Sequence, residues 1–140
     1  PTMLDYNTHI AKSSMFNTPP AFPIYVSMLT MRWVKENGGV AAMAERNEAK
    51  AKLLYNEIDS NPCFEGTTAV EDRSLMNVTF RMKDSEMEAA FLEACDAANC
   101  VGVKGHRSVG GFRASIYNAM SIESVQVLVD VMKDFANKNA

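Results

Sequence analysis

The stretch that decides the fold of the C-terminal part of the chain is residues 104–117, which read Lys-Gly-His-Arg-Ser-Val-Gly-Gly-Phe-Arg-Ala-Ser-Ile-Tyr. The apolar residues Phe112, Ala114 and Ile116 alternate with polar ones, which predicts a strand with one buried face. Arg113 then points to the opposite, less buried face, because successive strand side chains alternate. The glycines before the strand predict a loop whose backbone N–H groups can approach an anion closely.

Two guanidinium groups and an imidazole fall within eight residues of this stretch, at His106, Arg107 and Arg113. Arginine binds carboxylate and phosphate groups through a bidentate fork. The pattern favours a site for a ligand with two anionic ends, and a solvated basic loop is the alternative that it leaves open.

A second candidate lies near the N-terminus, where Asn17 and Thr18 precede Pro19 and Pro20. Their amide and hydroxyl groups stand just before a predicted helix, and helix N-termini attract anions. Ordinary helix capping is the simpler explanation of these residue types.

The rest of the chain predicts helices and strands that alternate. Four helices are predicted: Phe22–Asn37, which ends at a Gly38–Gly39 C-cap, Val40–Asp59, one that begins at Ser85 with a capping box to Glu88, and one that begins after a Ser121 cap. Three strands are predicted, over Met76–Met82, Cys100–Val103 and Phe112–Tyr117. This order indicates a small α+β fold, an antiparallel or mixed sheet with helices packed on one face. Residues 40–140 are predicted to form this domain. Residues 1–39 are predicted to be a connecting segment and long helix of an interdomain or dimer region, because Phe22–Asn37 is apolar on nearly every face.

Composition limits the partners. The chain is 47% apolar and 22% charged with a net charge of −3, which is typical of a globular domain and favours neither nucleic acid nor an anionic membrane as a partner. Its three cysteines form no Cys-x-x-Cys pair and its two histidines are not at ligand spacing, so we expect no disulfide framework, no metal site and a cytoplasmic location.

The apolar run at residues 21–34 is too short to span a bilayer. The chain begins with Pro1, which suggests a piece of a longer protein.

Three runs carry a family resemblance: Ser-Met-Phe-Asn-Thr-Pro-Pro at residues 14–20, Gly-Gly-Val at residues 38–40, and residues 104–120. Together they resemble the C-terminal part of the phosphoserine aminotransferase family, which are class V, fold-type-I aminotransferases dependent on pyridoxal 5'-phosphate. The resemblance implies a small C-terminal domain of that fold, a missing N-terminal large domain and a homodimeric enzyme of serine biosynthesis. The implied reaction moves an amino group between L-glutamate and 3-phosphohydroxypyruvate, giving O-phospho-L-serine.

The resemblance also assigns roles to five residues. Asn17 and Thr18 match the pair that reaches the cofactor phosphate of the other subunit. His106 and Arg107 match the pair that binds the substrate phosphate, and Arg113 matches the arginine that takes the substrate α-carboxylate. The family's Schiff-base lysine lies upstream of this region, so no catalytic residue is expected here and the chain alone is expected to be inactive.

Two other functions remain open on the sequence. One is a class V aminotransferase of the alanine or serine–glyoxylate type, which shares the carboxylate-binding arginine but does not need His106 beside Arg107. The other is a non-catalytic, anion-binding α+β domain, which the absent lysine favours.

Overall fold

A computed structural model describes residues 1–139 and divides them into two compact units. The first unit runs from Pro1 to Val40, and the second begins at Ala41. The helices are α1 (Tyr6–Ile10), α2 (Ala21–Glu36), α3 (Gly39–Ser60), α4 (Glu88–Ala97) and α5 (Ile122–Asn139). The strands are β1 (Phe64–Gly66), β2 (Asn77–Met82) and β3 (Phe112–Ser115).

The first unit consists of α1, α2 and the turns around them. Helix α2 follows Pro20 closely and carries Pro23 in its first turn, where a missing N–H leaves no intrahelical bond unmade. None of its residues is buried, and Phe22 is 77% exposed. The predicted C-cap was wrong in detail, because Asn37 caps α2, Gly38 turns the chain at a φ of +95° and Gly39 already begins α3.

The second unit is a three-stranded antiparallel sheet with helices on one face, which confirms the predicted α+β class. The strand order is β1-β2-β3, with Phe64 opposite Met82 and Phe80 opposite Phe112. Val78, Phe80 and Met82 of β2 are buried, and so are Phe112 and Ala114 of β3. The polar residues between them face away from the helices, as a strand period of two requires.

Aromatic side chains fill the space between the sheet and the helices. The ring of Phe91 on α4 lies 4.8 Å from Phe64, 5.0 Å from Phe112 and 5.4 Å from Phe135. Edge-to-face contacts at such distances add to the free energy of burial. One aromatic side chain on α4 therefore joins both edge strands of the sheet to α5.

Helix α5 and its cap follow the sequence pattern. The Ser121 hydroxyl accepts a hydrogen bond from the Ser124 N–H at 3.2 Å, which confirms the predicted cap. Five apolar residues that recur at helical spacing on its inner face are buried: Val125, Leu128, Val129, Met132 and Phe135.

Helix α4 begins differently from the prediction. Asp84 accepts from the Glu86 N–H at 3.0 Å, and residues 85–87 form a 3-10 turn before the helix proper. Asp84 thus provides the cap that was predicted for Ser85. The buried residues of α4 are Phe91 and Cys95, whereas Ala90 is exposed. Burial raises the pKa of the Cys95 thiol to about 12, and all three cysteines are free.

The strand predicted over Cys100–Val103 is wrong. Asn99 and Gly102 adopt left-handed conformations, at φ values of +59° and +79°, which break the extended backbone. The pairing there is reduced to one bridge between Lys104 and Phe112. Strand β1, which the sequence did not predict, provides the third strand instead.

A buried lysine is the main feature that the hydrophobic pattern of α3 did not predict. Lys50 is 2% exposed, and its ammonium group donates to the carbonyl oxygens of Ile116 at 3.0 Å, Tyr117 at 2.6 Å and Met120 at 3.0 Å. Beside it, the buried Asn47 donates to the Asn118 side chain at 2.7 Å. These bonds tie α3 to the chain between β3 and α5.

Within residues 1–139, no helix combines the length and apolar character needed to cross a bilayer. In the same part of the chain, no three His, Cys, Asp or Glu side chains group closely enough to hold a metal ion.

The bonds of Lys50 lead to a stability prediction. Lys50→Met keeps the length of the side chain but leaves three carbonyl groups without their donor, so we expect it to lower the free energy of unfolding by about 1–3 kcal/mol. Lys52→Met changes an exposed lysine on the same helix and is the control, expected within about 0.5 kcal/mol of the parent. Urea unfolding followed by circular dichroism measures both. Equal stabilities of the two variants would contradict the role given to Lys50.

Candidate functional site

The loop that carries His106 and Arg107 is closed at its base by backbone hydrogen bonds. The Gly105 N–H donates to the Gly111 carbonyl at 2.8 Å, and the Arg113 N–H donates to the Val103 carbonyl at 2.7 Å. The ends of the loop are thereby held side by side against the outer edge of β3, and residues 106–110 project from that edge.

Two glycines are required at this base for different reasons. A Cβ atom on Gly105 would clash with the carbonyl oxygen of Gly110 and lie 2.7 Å from that of Gly111. Gly111 adopts a φ of +60°, and a Cβ there would lie 2.7 Å from the Phe80 carbonyl oxygen. Both positions bring one backbone segment against another, which a residue with a side chain cannot do.

The tip of the loop is a compact turn. The carbonyl of His106 accepts from the N–H groups of Val109 and Gly110, both at 2.9 Å. The imidazole Nδ1 of His106 lies 2.7 Å from the Ser108 hydroxyl and accepts from the Ser108 N–H at 3.3 Å. The predicted glycine-flanked loop is therefore an ordered turn that holds the imidazole of His106.

Both candidate arginines of this stretch are exposed and without a partner. Among residues 1–139, neither Arg107 nor Arg113 has an ion pair or a hydrogen-bonded acceptor for its guanidinium group. The arginines elsewhere on the same unit differ: Arg81 is 2.6 Å from Glu65, and Arg73 forms two bonds of 2.7 Å with Asp59. Within residues 1–139, the positive charge on the loop and on β3 is thus not neutralised by an acidic side chain.

Arg113 has a defined position on the solvent face of the sheet. It lies opposite Thr79 in the register of β2 and β3. Beyond it, the Tyr117 hydroxyl donates to the Asn77 side-chain carbonyl at 3.2 Å, and Asn118 accepts from Asn47. These contacts fix Tyr117 to β2 and Asn118 to α3.

Asn17 and Thr18 belong to the other unit and are exposed. Helix α2 begins at Ala21 with Pro20 at the N-cap, and no side chain makes a capping bond there. The capping explanation for these two residues is therefore wrong, and their amide and hydroxyl groups are not used within their own unit.

Sequence reasoning did not give Ser108 or Lys50 a role. A hydroxyl residue two positions after a histidine in a glycine-rich loop is a usable local signal, because such side chains bond to nearby groups in turns. Lys50 offered no such signal, since its three acceptors lie 66 to 70 residues further along the chain.

Comparisons with known proteins identify the family of the chain. Residues 1–128 match the family model described as aminotransferase class-V. The chain is 59% identical over 138 residues to the phosphoserine aminotransferase of Flavobacterium johnsoniae, covering 99% of this chain and 39% of that protein. It is 56% identical over 141 residues to the phosphoserine aminotransferase of Porphyromonas gingivalis, covering 99% of this chain and again 39% of the relative.

Solved structures give the same result. The phosphoserine aminotransferase from Bacillus circulans subsp. alkalophilus superposes with a TM-score of 0.91 at 43% identity, covering 100% of this chain and 39% of that one. A phosphoserine aminotransferase with bound PLP from Trichomonas vaginalis gives a TM-score of 0.84 at 43% identity, covering 95% of this chain and 38% of that one. The chain thus spans about two fifths of the length of the relatives that it matches.

The base of the loop can be tested through its glycines. Gly105→Ala places a Cβ against two backbone carbonyls, so we expect the bond between residues 105 and 111 to be lost. Amide hydrogen exchange at residue 105 should then accelerate by at least about tenfold, the equivalent of about 1.4 kcal/mol. Gly102→Ala is the control, because its positive φ is strained but a Cβ there meets open space. Unchanged exchange at residue 105 in the Gly105→Ala variant would contradict the close approach.

Proposed function

This chain belongs to the class-V aminotransferase family, and we propose that it forms the C-terminal part of a phosphoserine aminotransferase. The proposed reaction moves an amino group between L-glutamate and 3-phosphohydroxypyruvate, giving O-phospho-L-serine. The observation that carries the proposal is the pair of unpartnered guanidinium groups, Arg107 on the loop and Arg113 on β3, in a chain 59% identical to a phosphoserine aminotransferase.

The two arginines suit the two ends of the proposed substrate. Arg107 lies on a turn next to His106, and a guanidinium beside an imidazole N–H is a set of donors that suits a phosphate with three acceptor oxygens. Arg113 projects from a paired strand, so its position is set by the sheet. A planar guanidinium held in this way suits the bidentate geometry of an α-carboxylate. We therefore assign the substrate phosphate to His106 and Arg107 and the α-carboxylate to Arg113.

The proposed cofactor is pyridoxal 5'-phosphate, which acts as an electron sink at the substrate carbon when it is bound. The contribution of this chain is the side chains of Asn17 and Thr18, which we propose bind the cofactor phosphate of the other subunit of a homodimer. Their exposure and the absence of capping bonds at α2 support this, because an amide and a hydroxyl remain available to phosphate oxygens.

The proposed partners are an N-terminal large domain and a second copy of the subunit. Apolar side chains are exposed along α2, among them Phe22, Ile24, Tyr25 and Met31, and a monomeric protein rarely exposes so much apolar surface on one helix. The length of the relatives leaves ample chain to cover this surface. Three free thiols support a reducing, cytoplasmic location for the enzyme.

Half-reaction kinetics of the full-length enzyme test the site assignments. Arg107→Ala should lower kcat/KM for phosphoserine by about 30- to several thousand-fold, because truncating one partner of a buried charge pair costs about 2–5 kcal/mol. Its effect on the glutamate half-reaction should be smaller, since glutamate carries a carboxylate where phosphoserine carries a phosphate. Arg113→Ala should impair both half-reactions, because both substrates have an α-carboxylate, and Arg113→Lys should restore only part of the rate.

The control for these variants is Arg81→Ala, which removes a guanidinium from the same face of the sheet but one already paired with Glu65. It should leave both half-reactions within about threefold of the parent. Equal losses for phosphoserine and glutamate in Arg107→Ala would defeat the phosphate assignment. A glutamate half-reaction unaffected by Arg113→Ala would defeat the carboxylate assignment.

The activity of the 140 residues by themselves is a separate test. We expect no transaminase turnover from them, because the resemblance places the lysine that binds the cofactor outside this stretch. Incubation with the cofactor, reduction with borohydride and peptide mass mapping provide the measurement. A stoichiometric pyridoxyl adduct on one specific lysine of this chain would contradict the expectation. A native protein of only this length, without turnover, would favour the alternative of a non-catalytic, anion-binding domain.

A further inference from the structure

The imidazole of His106 is held by one neighbouring residue. Ser108 places two groups against it, a hydroxyl 2.7 Å from Nδ1 that can donate or accept, and a backbone N–H that donates to Nδ1 at 3.3 Å. Both groups approach the same ring nitrogen. The other nitrogen, Nε2, has no partner among residues 1–139, and the side chain is exposed.

This arrangement determines which nitrogen carries the proton of the neutral ring. A backbone N–H can only donate, so the Nδ1 atom that faces it must act as an acceptor and bears no hydrogen. The neutral imidazole has one N–H, which therefore lies on Nε2. His106 thus offers a ligand a hydrogen-bond donor on the side of the ring that faces away from Ser108.

We propose that Ser108 is a positioning residue for the phosphate end of the substrate site. Its hydroxyl and backbone N–H orient the His106 ring and keep the proton on Nε2, so that the imidazole donates to a phosphate oxygen beside the Arg107 guanidinium. The inference rests on the proposed function, because it deepens the role assigned there to His106 and Arg107. Ser108 itself does not touch the substrate and acts through the ring.

Arg107 and His106 would bind a phosphate in different ways, and this difference explains why the orientation of the imidazole matters. A guanidinium supplies charge and several donors, and it binds a dianion over a range of positions. A neutral imidazole supplies one directed N–H, which contributes only if the ring stands at the right angle and in the right tautomer. Free rotation of an exposed ring would weaken the hydrogen bond from the imidazole to the phosphate, and the Ser108 hydroxyl restrains this rotation.

Kinetics of the full-length enzyme with O-phospho-L-serine and L-glutamate provide the first measurement. Ser108→Ala should weaken phosphoserine binding in single turnover by about 3- to 10-fold, the effect of losing one hydrogen bond, with a smaller change for glutamate. Ser108→Thr retains the hydroxyl and should restore binding to within about twofold. Val109→Ala changes the exposed neighbouring residue and is the control, with no change expected.

Nitrogen NMR of the imidazole rings provides a readout that a merely structural role would not change. At about pH 9, where free imidazole is neutral, His106 of the 140-residue chain should show an unprotonated Nδ1 and a protonated Nε2. Ser108→Ala removes the hydroxyl but keeps the backbone N–H, so the ring should move only part of the way towards the mixed tautomer population of a solvated histidine. A proton on Nδ1 in the parent protein would overturn the inference.

The outcomes separate the inference from the function on which it rests. If His106→Ala impairs phosphoserine turnover and Ser108→Ala does not, Ser108 is no positioning residue and the proposed function stands. If His106→Ala leaves phosphoserine turnover unchanged, the phosphate assignment of the proposed function fails, and this proposal fails with it whatever the NMR result. Loss in Ser108→Ala, recovery in Ser108→Thr and the shifted tautomer together support the proposal.

Discussion

The second unit depends on one set of hydrogen bonds, which the ammonium group of Lys50 donates to three backbone carbonyl oxygens. Removing a cation from water is costly, and burial lowers the pKa of this lysine. The three N–H donors of the ammonium match three carbonyl acceptors, which hydrogen-bond best to the charged form and so oppose that shift. The acceptors lie between β3 and α5, a segment with few regular backbone bonds of its own. One side chain on α3 therefore joins the end of the strand that carries Arg113 to the start of the last helix.

The loop beside β3 combines a rigid base with uncompensated charge. Its ends are fixed by backbone bonds at Gly105 and Gly111, where side chains have no room. The guanidinium groups of Arg107 and Arg113 remain unpaired, although carboxylates elsewhere in the unit neutralise other arginines. Unpaired charge on an ordered support favours an anionic ligand, because the ligand pays no cost for breaking an internal ion pair and little for ordering the loop.

The sheet has two chemically different faces, and the proposed substrate site lies on the polar one. One face is covered by α3, α4 and α5, whose apolar side chains form one buried cluster with the phenylalanine rings of the strands. The other carries Thr79, Arg81 and Arg113 and is open to solvent. A helix layer on only one face is a common solution for a small α+β unit, and it leaves the polar face free for ligands and for further domains. The relatives are more than twice as long as this chain, so they have additional residues that can pack against such a face.

The sequence by itself determined the elements whose signals are local. Alternation in Met76–Met82 and after Gly111 predicted β2, β3 and the outward direction of Arg113, and Ser121 with the apolar repeat predicted α5. The glycine-rich loop with its basic residues, and the family resemblance, were equally visible. Tertiary structure alone decided the rest. Strand β1 is three residues long and is stabilised by pairing with β2. The strand predicted at Cys100–Val103 does not form, because Asn99 and Gly102 adopt left-handed conformations. The burial of Lys50 could not be predicted, because its acceptors come together only when distant parts of the chain pack, and the pattern of a single helix contains no information about them.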